Sequence, residues 1–159
     1  ETSPERVRSI NPATGETIAE YALATPAQID SLLDEAQAGF AAWRRHSLAQ
    51  RAEVLHRIAA RLRAEKPALA RLVTLEMGKP ITEAEAEVEK SAWACEFVAG
   101  HGAAWLADAE VTTNASRSYV SWLPLGPLLA ILPWNFPVWQ VFRCAASALF
   151  AGNAVVLKH

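Results

Sequence analysis

Two short, wholly apolar runs near the end of the chain constrain its fold more than any other feature. The first is LLAIL at 128–132, and the second is AVVL at 154–157. Residues 138–150 between them are apolar and alanine-rich, as in a helix, and Gly152-Asn153 ends that helix. A strand, a helix and a strand in about thirty residues form a β-α-β unit. The sequence therefore predicts an α/β protein whose parallel strands are buried on both faces.

The beginning of the chain predicts two extended segments joined by a turn. These segments are residues 7–10 and 18–23. Asn11-Pro12 and Gly15 lie between them and are typical turn residues. No internal repeat and no low-complexity segment follows.

Three helix starts are predicted by capping boxes, in which an N-cap side chain and the side chain three residues later bond each other's backbone N–H. The pairs are Thr25 with Gln28, Ser47 with Gln50, and Thr82 with Glu85. The first helix carries one apolar face, formed by Ile29, Leu32, Leu33, Ala36, Phe40 and Trp43. Pro67 ends or kinks the second helix, Gly78 stops the segment after it, and the third capped helix runs through about Phe97.

The composition excludes several classes of function. Hydrophobic residues make up 52% and charged residues 20%, which is typical of a globular protein. A net charge of −2 argues against nucleic acid or an anionic membrane as the main partner. No apolar stretch reaches the roughly 18 residues of a membrane span, and no signal peptide is visible. Two cysteines predict a reducing, cytoplasmic location. The first residue is Glu1 and the last run is a buried strand, so we expect a piece of a longer chain.

Asn135 is the one polar side chain in the stretch LPWNFPVW at 132–139. Pro133 and Pro137 restrict the backbone on both sides of it. This loop follows the first buried strand, at the edge where open α/β sheets bind ligands. An uncharged amide held still at that edge could donate hydrogen bonds to a developing oxyanion. Alternatively, Asn135 could hydrogen-bond its own loop and serve structure alone.

Other reactive side chains have simpler interpretations. Cys95 and Cys144 lie on predicted helices and are expected to be buried small hydrophobes. The histidines show no ligand spacing, so we expect no metal site. The acidic run Glu83, Glu85, Glu87 and Glu89 predicts a solvated helix surface. Lys158 either faces a ligand at the sheet edge or simply ends its strand in solvent.

Several motifs in order resemble the aldehyde dehydrogenase superfamily. They are INPATGE, EMGKP, PWNFP and AGNAVVLKH, and together they cover nearly the whole chain. The family usually has proline after the strand-ending lysine, where this chain has His159. That difference, with PWNFPVWQVFR, is similar to the succinate-semialdehyde dehydrogenase branch.

The resemblance implies oxidation of an aldehyde, such as succinate semialdehyde, to the acid through a cysteine thioester, with NAD or NADP as cofactor. It implies that Asn135 is the catalytic side-chain donor of the oxyanion hole. Leu132, Pro133, Trp134 and Asn135 would line the cofactor cleft with Lys158 and His159. Lys158 would reach the adenosine ribose or its 2′-phosphate. PWNFP occupies the place of the usual glycine-rich turn, and the nucleophilic cysteine of the family lies well beyond this segment.

The resemblance also implies a division of the chain. Residues 1–105 would hold the N-terminal hairpin and the helices of the cofactor-binding domain. Residues 106–124 would form a bridging β segment used in oligomerisation, and 125–159 the first β-α-β unit of a parallel Rossmann-like sheet. The implied partners are a small aldehyde and further copies of the chain, as a dimer or tetramer. Without its catalytic domain, the segment could instead be an inactive scaffold or oligomerisation module.

Overall fold

The structure is a computed structural model that describes residues 5–158. A strand pair comes first, four helices follow it, and a β-α-β unit ends the described part. In chain order the elements are β1 (Arg6–Ile10), β2 (Thr17–Ala22), α1 (Pro26–Trp43), α2 (Leu48–Ala64), α3 (Lys66–Met77), α4 (Ile81–Trp105), β3 (Ala109–Glu110), β4 (Tyr119–Val120), β5 (Pro127–Ile131), α5 (Trp139–Phe150) and β6 (Ala154–Lys158).

The first two strands form the expected extended pair. β1 and β2 run antiparallel, with Arg6 opposite Ala22. In the turn, the Asn11 N–H donates to the Glu16 carbonyl and the Gly15 N–H donates to the Asn11 carbonyl, each at 2.8 Å. Gly15 has a φ of 76°, a left-handed conformation that glycine adopts without strain.

Two of the three predicted capping boxes are confirmed, and the third is wrong. Both reciprocal hydrogen bonds are present at the starts of α1 and α2. α4 begins earlier than predicted, at Ile81, so Thr82 lies inside its first turn and caps nothing. The reason is Pro80, whose extended backbone directs its carbonyl to the N–H groups of Glu83 and Ala84, each at 3.0 Å. α4 also continues past Phe97 to Trp105.

The core surrounds α4, which packs against α2, α3 and α5. The main buried cluster is formed by Leu55, Ala59, Leu62, Val88, Ala92, Cys95, Val98, Ala99, Ala146 and Phe150. Gly102 of α4 lies directly against the Phe150 ring, where a Cβ atom would overlap it. A residue without a side chain therefore permits the close approach of α4 and α5.

A buried arginine joins the ends of three helices. The Arg51 guanidinium donates to the carbonyl of Phe150 at 3.0 Å and to the carbonyl of Arg44 at 2.9 Å. These carbonyls end α5 and α1, where helices leave acceptors unpaired. Burial lowers the pKa of Arg51 from its ordinary value.

The predicted β-α-β unit is confirmed. β5 and β6 pair in parallel, from Pro127 opposite Ala154 to Ile131 opposite Lys158, and α5 connects them. The expected burial on both faces is wrong for the described residues, because Leu129 is 65% and Ile131 68% exposed. Within residues 5–158, β5 pairs only with β6. Its alternate side chains therefore have no covering element on one face.

Two other apolar segments are also more exposed than their patterns predict. On α1, Phe40 is buried, whereas Ile29, Leu32 and Leu33 are about half exposed. In the bridging segment 106–124, Tyr119–Val120 pairs with β3, and Tyr119 and Trp122 are about half exposed. No helix within residues 5–158 has the length and apolar character needed to cross a membrane.

Candidate functional site

The loop between β5 and α5 lies at the carboxyl edge of both parallel strands. The Leu132 N–H donates to the Lys158 carbonyl at 3.2 Å, so the ends of β5 and β6 remain joined as the loop begins. This brings Pro133, Trp134 and Asn135 to the same edge as Lys158, as the sequence predicts. His159 lies outside the described residues.

The Asn135 side chain is exposed at this edge. Among residues 5–158 no hydrogen-bond partner exists for its amide. The alternative in which Asn135 structures its own loop would require such a bond, so the geometry does not support it. The amide is therefore available to a molecule bound at the carboxyl edge.

The end of the loop is held by a buried carboxylate from α4. Glu87 Oε1 accepts hydrogen bonds from the backbone N–H groups of Val138 at 2.9 Å and Trp139 at 3.0 Å. The N-cap residue of α5, Val138, provides no side-chain cap. Glu87 thus satisfies the open N–H groups of α5 and places a negative charge at its positive end.

Lys79 completes this arrangement beneath the loop. Its ammonium forms an ion pair with Glu87 Oε2, and the two side chains are only 4% and 2% exposed. The same Nζ atom lies 3.6 Å from the centre of the Phe136 ring. Lys79 and Glu87 together therefore contact three of the four residues that follow Asn135 in the chain.

The expectation of a solvated acidic surface on α4 is wrong at Glu87. Glu87 lies three residues after Ala84 and four before Ser91, and both of these are buried. It therefore belongs to the inner face of α4, a spacing that could have revealed it. No comparable signal exists for Lys79, which lies in the turn between α3 and α4. Glu89 also has partners, since it binds Arg63 and Lys66.

Two cavities flank the loop. One of about 260 Å³ is lined by Lys79, Glu83, Ala86, Glu87, Lys90, Phe136 and Trp139. The other, of about 340 Å³, lies between the loop and the β1–β2 hairpin, with Trp134 and Pro137 on its wall. The neutral amide of Asn135, the residue between Trp134 and Phe136, lines neither of these two cavities. Such a group can stabilise a carbonyl oxygen that gains negative charge.

The two cysteines do not supply a nucleophile here. Cys95 is fully buried, and burial together with nearby Glu96 raises its thiol pKa to about 11. It is therefore protonated at neutral pH and inert, as predicted. Cys144 is only half-buried, although the sequence predicted a buried residue there.

Comparison with known proteins gives a match over the whole chain. The family model described as "Aldehyde dehydrogenase family" matches residues 1–159. A protein of Synechocystis sp. named "Probable succinate-semialdehyde dehydrogenase [NADP(+)]" is 46% identical over 153 residues, which is 96% of this chain and 34% of that protein. The succinate semialdehyde dehydrogenase [NAD(P)+] Sad of Escherichia coli K12 is 45% identical over 151 residues, 95% of this chain and 33% of that protein.

Solved structures agree with the sequence comparison. The succinic semialdehyde dehydrogenase of Streptococcus pyogenes, solved in complex with NADP+, superposes with a TM-score of 0.90 at 31% identity. The match covers 96% of this chain and 34% of that structure. This chain thus spans about a third of the length of the relatives it matches.

Proposed function

Because this chain belongs to the aldehyde dehydrogenase family, we propose that it is the N-terminal, cofactor-binding part of an enzyme that oxidises an aldehyde to the carboxylic acid. The observation that carries the proposal is the exposed, unpartnered Asn135 amide at the carboxyl edge of β5 and β6, within the part of the chain that is described. The names of the relatives support succinate semialdehyde as the substrate and either NADP or NAD as the cofactor.

The edge formed by the loop and Lys158 fits a dinucleotide. Parallel strands bind such ligands outside their carboxyl ends, and a lysine there suits ribose hydroxyls or a 2′-phosphate. Leu132, Pro133 and Trp134 would form the wall of the cleft, and His159 would follow Lys158. A dinucleotide held there would supply the acceptor for the hydride that the substrate loses.

The proposed role of Asn135 is to donate a hydrogen bond to the substrate oxygen. When a thiolate attacks the aldehyde carbon, the carbonyl π electrons move to oxygen, and the amide N–H stabilises that charge. When the carbonyl re-forms, the hydride leaves and a thioester remains for hydrolysis by water. Cys95 is buried with a thiol pKa raised to about 11, and Cys144 lies within α5, so we propose that the nucleophile comes from outside these 159 residues.

Replacing Asn135 in the whole protein tests this proposal. Asn135→Ala should lower kcat for succinate semialdehyde by about 10²–10³-fold, which is the usual effect of removing one oxyanion donor. Cofactor affinity should change little. Gln37→Ala, at an exposed side-chain amide on α1, is the matched control and should keep the parent kcat. A kcat within a few-fold of the parent for Asn135→Ala would contradict the assignment.

We also propose that residues 106–124 take part in assembly as a homodimer or tetramer. The support is the exposure of Tyr119, Trp122 and Leu123 beside a two-residue strand, which makes a poor free edge. A monomeric mass of the whole protein in light scattering would contradict it.

We also propose a cytoplasmic location, with which two free cysteines are compatible.

Assays of the 159 residues and of the whole protein distinguish the proposed enzyme from the inactive-scaffold alternative. The 159 residues alone should turn over no aldehyde, because the proposed nucleophile lies outside them. The whole protein should turn over succinate semialdehyde with NADP+ or NAD+. No turnover by the whole protein with any aldehyde would favour the scaffold.

A further inference from the structure

The loop that carries Asn135 contains two prolines, but restricted φ angles alone do not fix its position. Pro133 and Pro137 restrict φ within the loop. Anchoring the loop against the helices needs contacts from outside it. On the side after Asn135, one buried pair supplies the hydrogen bonds of this kind and a ring contact, with Glu87 on the N–H groups of Val138 and Trp139 and Lys79 beneath the Phe136 ring. Packing of Val138 on the core and of Lys90 on the Trp139 ring adds to them.

The hydrogen bonds of Glu87 are well satisfied. Oε1 accepts two backbone N–H groups and Oε2 accepts from Lys79, although both side chains are buried. A buried ion pair is seldom the most stable solution for a core, since well-packed apolar residues often do as well. A buried pair can instead favour one backbone conformation over others, whatever it contributes to stability.

We propose that the Lys79–Glu87 pair is a positioning device for Asn135. Glu87 fixes the start of α5, and Lys79 fixes the ring of the residue next to Asn135. Together they set where the amide stands relative to the carboxyl edge. This inference rests on the proposed function of Asn135. A displacement of about 1 Å in a reacting group can cost about 100-fold in rate, so a neutral substitution in the pair should lower kcat.

Three variants of the whole protein test the inference. Glu87→Gln keeps the shape and one acceptor but removes the charge. Lys79→Met removes the partner charge. The double variant leaves no unpaired buried charge, so it can be assayed even where a single variant fails to fold. Each should lower kcat by about 10- to 100-fold, with cofactor Kd unchanged. Glu89→Gln, two residues along α4 in a partly buried ion pair with Arg63, should keep the parent kcat.

The decisive measurement combines the double variant with Asn135→Ala. If the pair acts through Asn135, the pair substitutions should lower kcat no further once the amide is gone. If the pair had a purely structural role, its substitution would lower kcat by the same factor with and without Asn135→Ala. That result would overturn the inference while leaving Asn135 as the oxyanion donor. An unchanged kcat for Asn135→Ala alone would instead overturn the proposed function, and this inference with it.

Discussion

The ammonium of Lys79 lies 3.6 Å from the centre of the Phe136 ring. A cation this close to an aromatic face is attracted by the negative potential of the ring, and the attraction is stronger when water is excluded. Lys79 is buried, and Glu87 balances its charge. The turn between α3 and α4 is thereby attached to the loop after β5 without a direct hydrogen bond between them.

Phe136→Leu should remove this attraction while keeping an apolar side chain. We expect the free energy of unfolding to fall by about 0.5–2 kcal/mol, the range for cation–π contacts from exposed to desolvated sites. Chemical denaturation of the parent and variant measures it. Phe136→Tyr keeps a ring over Lys79 and is the control, which should lose much less. Equal stability of the leucine variant and the parent would show that the contact contributes nothing.

Local features of this fold could be predicted because their causes are local. The reciprocal bonds of Thr25 and Gln28 need only four residues, and they form as expected. Gly78 ends α3 in the left-handed conformation that glycine favours. The β-α-β unit follows from apolar runs separated by a helical segment. The carboxyl-edge position of Asn135 then follows from topology alone.

Features that depend on distant partners could not be predicted in the same way. The spacing of Glu87 could reveal that it faces inward, but not that its carboxylate meets Lys79 and the start of α5. The apolar run of β5 predicts burial on both faces, but burial of Leu129 requires a covering element that residues 5–158 do not provide. The error at Thr82 has a local cause, because Pro80 is the N-cap residue and α4 therefore begins before Thr82.

Lys158 should govern affinity for the cofactor in the whole protein. It ends β6 at the edge that holds Asn135, and its side chain is exposed there. Lys158→Ala should raise Kd by about 10- to 100-fold, the scale of one charge-assisted hydrogen bond, and more for NADP+ than for NAD+ because of the 2′-phosphate. Fluorescence titration measures both constants. Lys158→Arg keeps the charge and should bind far better than the alanine variant. Parent-like binding by Lys158→Ala would make Lys158 an ordinary strand end.

The contribution of Arg63 to stability should depend on pH. Its guanidinium donates to Glu89 at 2.7 Å and to Glu96 at 2.8 Å, and these bonds hold the pKa of both carboxyls below the ordinary value. The stabilisation is therefore complete above the unfolded-state pKa of about 4.3 and is lost as the pH falls through the folded-state values. Arg63→Met should cost more stability in urea at pH 7 than at pH 3. Arg71→Met, at an exposed site, should show no such difference, and a pH-independent loss for Arg63→Met would contradict the prediction.

Asn153 should be needed for the entry into β5. Its Oδ1 accepts the N–H groups of Leu125 at 2.7 Å and Gly126 at 3.0 Å, and its Nδ2 donates to the Ala148 carbonyl at 3.2 Å. The side chain is buried, so Asn153→Ala leaves backbone groups without partners, and the free energy of unfolding should fall by about 1–3 kcal/mol. Asn153→Asp keeps the acceptor but loses the donor. Its free energy of unfolding, measured by chemical denaturation, should lie between those of the parent and the alanine variant. If alanine matched the parent, water would be replacing the amide and the strand entry would not depend on Asn153.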